Sequence, residues 1–280
     1  MRHFLAPSLA IVLSAPALAE TESPPLESAE APSSLVISTD RPSFSDGTGI
    51  QPLFHLNLET GFTYTFTSID DGDVERVNGP EILARIGLIE DRLELRFITS
   101  GYVWTRADAN DGSSETTDGW SDVLLGAKLK LFDQDGALPR VALGLQTSLG
   151  TGSTDISTQE AEPTVKGLWS YDLGQLVSED LAGFTFGGNV NVAWPTTLGE
   201  RFTQAQVSAY LSFPIVEGTS GFCEWYVLTP AFYGGGPANY VDFGFTHLLT
   251  DRVQLDGRVG FGLSDDSDDV FVGVGISFLF

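Results

Sequence analysis

The residues able to do chemistry in this sequence are charged side chains set at every second position inside otherwise apolar runs. Glu59, Glu81, Arg85, Glu94, Arg96, Asp122, Lys128, Lys130, Arg140, Lys166, Asp242, Asp256 and Arg258 share the parity opposite to their apolar neighbours. Both signs occur, and Glu94 with Arg96, or Asp256 with Arg258, stand two apart on one face. Charges placed this way either pair into salt-bridge ladders or line a water-filled passage, and for any single residue pairing is the default reading. All of the set except Glu81 and Lys166 are pore-lining candidates. Tyr102 and Tyr210 share the inward parity and are candidates for contact with an aromatic solute.

Other chemistries find weaker footing. Beyond the first few residues the histidines are His55 and His247, and the chain has one cysteine, Cys223. If the connection around Gly235 closes symmetrically, Cys223 falls opposite His247, a thiol beside an imidazole. No third orienting group is evident, so no catalytic residue is assigned and the protein is not read as an enzyme. Asp265, Asp266, Asp268 and Asp269 offer oxygen donors to a hard cation but lack the glycine and distal glutamate of an EF-hand loop. They are read as a solvated acidic loop, and neither metal nor cofactor is expected. Gly150-Thr151-Gly152-Ser153 is followed by no lysine and is not a phosphate loop. A formal net charge of −24, from 14 basic and 38 acidic residues, excludes nucleic acid as a partner.

These side chains need a scaffold of period two. In residues 54–67, Leu56, Leu58, Phe62, Tyr64 and Phe66 alternate with Asn57, Glu59, Thr63 and Thr65, which is a strand pattern. About twelve such segments follow, at 54–67, 80–88, 92–104, 120–132, 138–149, 162–171, 182–194, 201–213, 221–233, 238–248, 252–263 and 270–280. Each is close to the roughly 9–11 residues with which a tilted strand crosses a bilayer. Short connections at 89–91, 133–136 and 249–251 alternate with long polar ones at 68–79, 105–119, 150–162 and 264–269. The connections at 172–181 and 214–220 are longer than the turn side should carry. Trp104, Trp120, Trp169, Trp194, Trp225, Tyr171 and Tyr233 sit near strand ends, as interfacial girdles require. The expected fold is all-β, a transmembrane antiparallel β-barrel of about 12 strands preceded by a signal peptide.

The ends fit that fold. Arg2, an apolar run and Ala17-Leu18-Ala19 have the form of a secretory signal, which places residues 1–19 as a signal peptide. Residues 20–53 are expected to form a disordered leader and a periplasmic N-terminal segment, and 54–280 the barrel. No later apolar run is long enough for a membrane helix. At the other end Val272, Val274, Ile276, Phe278 and Phe280 place an apolar side chain at every second position. This resembles the signature read by the barrel-assembly machinery, with Phe278 and Phe280 as its assembly signal.

Before the first strand stand Thr39-Asp40-Arg41-Pro42, a turn in which Asp caps its own backbone and Pro presets φ. Asp40, Arg41 and Pro42 are candidates for docking the N-terminal segment into the barrel mouth as a plug or gate. This TDRP element, followed by Leu58-Glu59-Thr60-Gly61-Phe62-Thr63-Tyr64, resembles the outer-membrane transporter family named for the meta-pathway of phenol degradation. The resemblance implies a barrel in the cell outer membrane, in contact with its lipids, for passive uptake of small aromatic or hydrophobic solutes. Two other readings stay open: a structural or adhesive barrel acting through its acidic loops, and a barrel lipid hydrolase.

Overall fold

The computed structural model describes residues 35–280. The expectations of a signal peptide over 1–19 and of disorder over 20–34 lie outside the described residues. The strands are β1 (Leu56–Ile69), β2 (Gly72–Ile89), β3 (Leu93–Thr99), β4 (Tyr102–Ala109), β5 (Ser114–Trp120), β6 (Val123–Phe132), β7 (Arg140–Ser148), β8 (Pro163–Asp172), β9 (Thr185–Ala193), β10 (Thr196–Thr197), β11 (Glu200–Arg201), β12 (Gln204–Val216), β13 (Thr219–Thr229), β14 (Ala238–Thr250), β15 (Val253–Gly262) and β16 (Val270–Leu279). A short helix, α1 (Leu173–Leu176), and one 3-10 turn, Glu179–Leu181, cap the β8–β9 connection.

Twelve of these strands close on themselves in the order β1-β16-β15-β14-β13-β12-β9-β8-β7-β6-β3-β2, and β2 returns to pair with β1. Every pairing is antiparallel. Closure leaves no row of unpaired backbone groups, which hydrocarbon would penalise at several kcal/mol per group. Phe62 (53% exposed), Leu145 (51%) and Val274 (58%) point outward, while Asn57, Glu59, Glu94, Lys128, Asp242 and Ser277 point inward at 0%. Polar inside and apolar outside is the inverse of a water-soluble core and fits lipid on the outer wall.

Two regions expected to be loops are strand instead. Residues 68–79 form the tip of β1 and the far half of β2, joined by a two-residue turn at Asp70 and Asp71. Residues 105–119 form most of the β4–β5 hairpin, which pairs with that same far half of β2. Beyond the hydrocarbon both faces of a strand meet water, so these stretches lose the alternation that marks a strand. The chain passes from β3 to β4 through Gly101, at φ +75, a left-handed conformation that glycine adopts without a Cβ clash. The connection at 214–220 is likewise no loop: β12 and β13 run on to a two-residue turn with Gly218 at φ +73.

Connections therefore lie at two ends. The turn end carries α1 and the short links, including 217–218 and 251–252; the loop end carries the β4–β5 hairpin and the connections 149–162, 194–203, 230–237 and 263–269. Ile37 N donates to Asp251 O (2.8 Å) and Phe54 N donates to Gly87 O (2.9 Å), so the segment before β1 both arrives and leaves at the turn end.

The inside–outside assignment has a direct consequence. Leu129→Arg, on the lipid face, should destabilise the barrel by about 2–4 kcal/mol if it lies near the midplane, whereas Gln206→Ala, facing the lumen, should cost under about 1 kcal/mol. Urea titrations of the refolded variants in vesicles measure both, and equal tolerance would overturn the assigned faces.

Candidate functional site

Between Ile37 and Leu53 the chain loops into the barrel interior and is gripped by charge from all sides. The Asp40 carboxylate lies 3.0 Å from Lys128 Nζ, 3.1 Å from Arg96 Nη2 and 3.5 Å from Arg85 Nη1. Asp46 lies 2.8 Å from Arg96 Nη2 and 2.7 Å from Lys166 Nζ. These cations come from β2, β3, β6 and β8, so two carboxylates of one segment tie together four strands.

The wall carboxylates grip the backbone of the same segment. Glu59 accepts from Asp40 N (3.0 Å) and Arg41 N (2.8 Å), Glu94 from Gln51 N (2.9 Å), and Glu224 from Phe44 N (2.7 Å) and Ser45 N (2.8 Å). Arg41 reverses the polarity: its guanidinium pairs with Glu81 and, at 3.3 Å, with Asp256. Lys128 and Arg85 also donate to the Gly49 carbonyl, both at 3.1 Å. Hydroxyl contacts Ser45–Ser208 (2.6 Å) and Thr48–Ser170 (2.7 Å) finish the fit. A segment buried inside a sheet has no ladder to join, so its N–H groups need such partners.

The wall charges also pair among themselves, with Arg85 2.9 Å from Glu94 and 3.2 Å from Glu59, and Lys128 3.4 Å from Glu94. Desolvation of a buried ion costs several kcal/mol, so each of these groups requires opposite charge at hand. Burial alone would push the Asp46 carboxyl up; Arg96, Lys166 and Lys128 outweigh it and hold it well below the usual carboxylate range. Asp40, under the same opposition between burial and its three cations, is also lowered. Both stay ionised at neutral pH.

The sequence-predicted residues divide into three groups. Glu59, Arg85, Glu94, Arg96, Lys128 and Asp256 meet the N-terminal segment directly, and Asp40, Arg41 and the buried Pro42 belong to it. Asp242 is buried opposite Glu224 on the paired strand, and Arg258 lies over the Phe271 ring at 5.0 Å. The remaining three sit at the ends of the lumen. Lys130 pairs with Asp91 and Asp133 and Arg140 stands near Asp133, both at the turn end; Asp122 accepts from Gly152 N (2.7 Å) and Ser157 Oγ (2.7 Å), pinning the β7–β8 loop. Tyr210 faces the lumen beside the inserted segment, around a cavity of about 380 Å³. Tyr102 does not face the lumen: it is exposed on the β4–β5 hairpin, edge-on to Trp120.

Other candidates resolve as structure. Cys223 is not opposite His247. Leu228 pairs with Ala238, which centres the connection on Tyr233 rather than Gly235, so Cys223 faces Phe243 and His247 faces Thr219. His247 Nδ1 shares a hydrogen bond with Thr219 Oγ1 at 2.8 Å. In the acidic loop Asp266 accepts from Gly236 N, Asp268 from Thr67 Oγ1 and Asp269 from Ser68 N, each pinning the loop end. Among the described residues no three acidic, histidine or cysteine side chains converge on a metal position. Phe278 and Phe280 close β16 against β1, where Phe280 N donates to Leu56 O.

Sequence reasoning missed Asp46, Glu224 and Phe44. Their partners lie far along the chain, as with Phe44 N and Glu224, 180 residues apart. The available signal was Glu224 itself, a lone acid inside the apolar run 221–228.

Curated proteins offer no match. Among solved structures, the COG4313 outer membrane channel from Pseudomonas putida F1 superposes with a TM-score of 0.61 at 13% identity, over 83% of this chain and 98% of that one. The translocator domain of the autotransporter NalP from Neisseria meningitidis gives 0.52 at 12%, over 82% and 89%. The transport unit of the autotransporter AIDA-I from Escherichia coli gives 0.51 at 10%, over 89% and 94%. At such identities the likeness is one of fold: a closed twelve-strand outer-membrane barrel. The family model described as "Putative MetA-pathway of phenol degradation" matches residues 39–280, from the TDRP turn through every strand of the barrel to the terminal Phe280, and the chain belongs to that family.

Proposed function

We propose that this protein is a passive outer-membrane channel for small solutes, gated by the segment between Ile37 and Leu53, with the turn end in the periplasm. The observation that carries the proposal is the attachment of that segment. Both of its ends leave at the turn end, and it is held almost wholly by hydrogen bonds and ion pairs to side chains, with no strand added to the wall. It can therefore withdraw without opening the sheet, and water and ions can replace its polar partners one for one. The family description names phenol degradation, which supports small aromatic solutes as cargo. A barrel lumen lined with fixed charge and hydroxyls passes what its polar groups can briefly solvate.

A second reading is adhesion through the loop end, favoured by the β4–β5 hairpin. It stands on the far half of β2 and exposes Asp111, Glu115 and Asp118. Removing residues 104–118 would abolish a binding role and leave conductance in place.

The gate is tested by locking it. Ser45→Cys with Ser208→Cys in a Cys223→Ser background places two thiols where the hydroxyl oxygens now lie 2.6 Å apart. Planar-bilayer recordings of the oxidised protein should show no openings, and reductant should restore them to the level of the Cys223→Ser parent. Openings of equal size in both states would remove the gate. A second consequence follows from Asp40. Asp40→Ala leaves Arg85, Arg96 and Lys128 short of an anion, a loss of about 3–5 kcal/mol by analogy with broken buried pairs. Hydrogen exchange at the amides of Asp46, Gly47 and Gln51 should accelerate at least tenfold while the amides of β12–β16 keep their protection; unchanged exchange would show that Asp40 does not anchor the segment.

A further inference from the structure

The gating segment presents an aromatic ring and a carboxylate two residues apart, and the lumen wall has a receptor for each. Phe44 lies flat against Tyr226, with ring centroids 4.2 Å apart and planes 6° from parallel. Tyr226 stacks in turn on Tyr240 (4.8 Å, 19°), and Tyr240 meets Phe271 edge-on at 6.1 Å. Arg258 covers the Phe271 ring from beyond. The column Tyr226-Tyr240-Phe271 thus belongs to the wall, buried in a largely polar lumen, and the ring that completes it does not. If Phe44 leaves, a flat aromatic face is left bare inside the barrel.

The charge balance points the same way. Arg85 and Lys128 keep wall partners, Glu59 and Glu94, whatever the segment does. Arg96 and Lys166 do not: among the described residues their ion-pair partners are Asp40 and Asp46, both on the segment. Withdrawal therefore takes away every ion-pair partner that these two cations have among the described residues and leaves a seat that a replacement anion fits. The guanidinium offers a planar fork and the ammonium a point charge, which together suit a carboxylate. Phe44 and Asp46 are separated by at most about 7 Å of backbone, so one three-residue stretch carries both the ring and the charge.

Resting on the channel reading above, we propose that the lumen binds small arylalkanoate anions. Their ring takes the place of Phe44 on Tyr226 and their carboxylate takes the place of Asp46 between Arg96 and Lys166. The gating segment is then a built-in competitor, shaped like the solute, and a neutral aromatic or a plain alkanoate satisfies half of the site. The cargo thereby narrows from aromatic or hydrophobic solutes in general to aromatic carboxylates.

Equilibrium binding to the full chain refolded in detergent tests this without any need for conduction. Isothermal titration would use 5-phenylpentanoate and 3-phenylpropanoate, with propanoate and 3-phenylpropan-1-ol as half-ligands. The double variant Phe44→Ala, Asp46→Asn alters the segment and leaves the wall intact. It should bind the better of the two aryl acids about tenfold tighter than the unaltered chain, because the competing state is depopulated. Propanoate and the alcohol should bind at least tenfold more weakly than that acid. Adding Lys166→Gln should remove at least tenfold of the affinity for the acid and leave that for the alcohol unchanged; heat-dependent mobility in electrophoresis confirms that each variant is folded. Equal affinity of the unaltered and double-variant chains, or an alcohol that binds as well as the acid, or no binding by either chain, would overturn the proposal. A barrel that shows this selectivity yet never conducts would keep the site and refute the channel, and a conducting barrel without the selectivity would do the reverse.

Discussion

Inside this barrel, charge must be met by charge, and most of the architecture follows from meeting it. Arg85, Arg96, Lys128 and Lys166 occupy the wall formed by β2, β3, β6 and β8, while Glu59, Glu224 and Asp256 occupy β1, β13 and β15. Across a wide aqueous pore those charges would each carry their own water. In a twelve-strand barrel there is too little room, and among the described residues the wall alone gives Arg96 and Lys166 no ion-pair partner. The N-terminal segment supplies what is missing: carboxylates on one side, an arginine and backbone N–H groups on the other. Its shape follows from that task more than from any local propensity, since it contains no regular strand or helix.

The same balance explains what the sequence revealed and what it hid. Parity alone identified Glu59, Arg85, Glu94, Arg96 and Lys128 as inward, because a charge on the lipid face is expensive and natural strands avoid it. It also placed the twelve wall strands in their order. Parity did not reveal how far β1, β2, β12 and β13 extend, because above and below the hydrocarbon both faces are wet and alternation no longer carries information. It did not pair Cys223 correctly either, since a shift of two residues in the β13–β14 turn changes every partner while leaving every side chain on its own face.

Least legible was the segment itself. Asp40 and Arg41 drew notice through the TDRP turn, but Phe44 and Asp46 look like ordinary loop residues. Their significance lies in Tyr226 and Lys166, which only the closed barrel brings next to them, and no local pattern links such distant positions. Contacts made by a segment without periodicity cannot be read from periodicity.

The short path by which that segment arrives and leaves, Ile37 at Asp251 and Phe54 at Gly87, sets a scale for competition. A closing element that is part of the chain never diffuses away, so it faces its seat at an effective concentration in the millimolar range, whatever the amount of protein in the membrane. Under the gating proposed above, any solute that shares the seat must rival that local concentration multiplied by the strength of the polar grip. Such a barrel would be insensitive to traces and responsive to abundance, with the threshold written into the length of a tether rather than into a separate sensor.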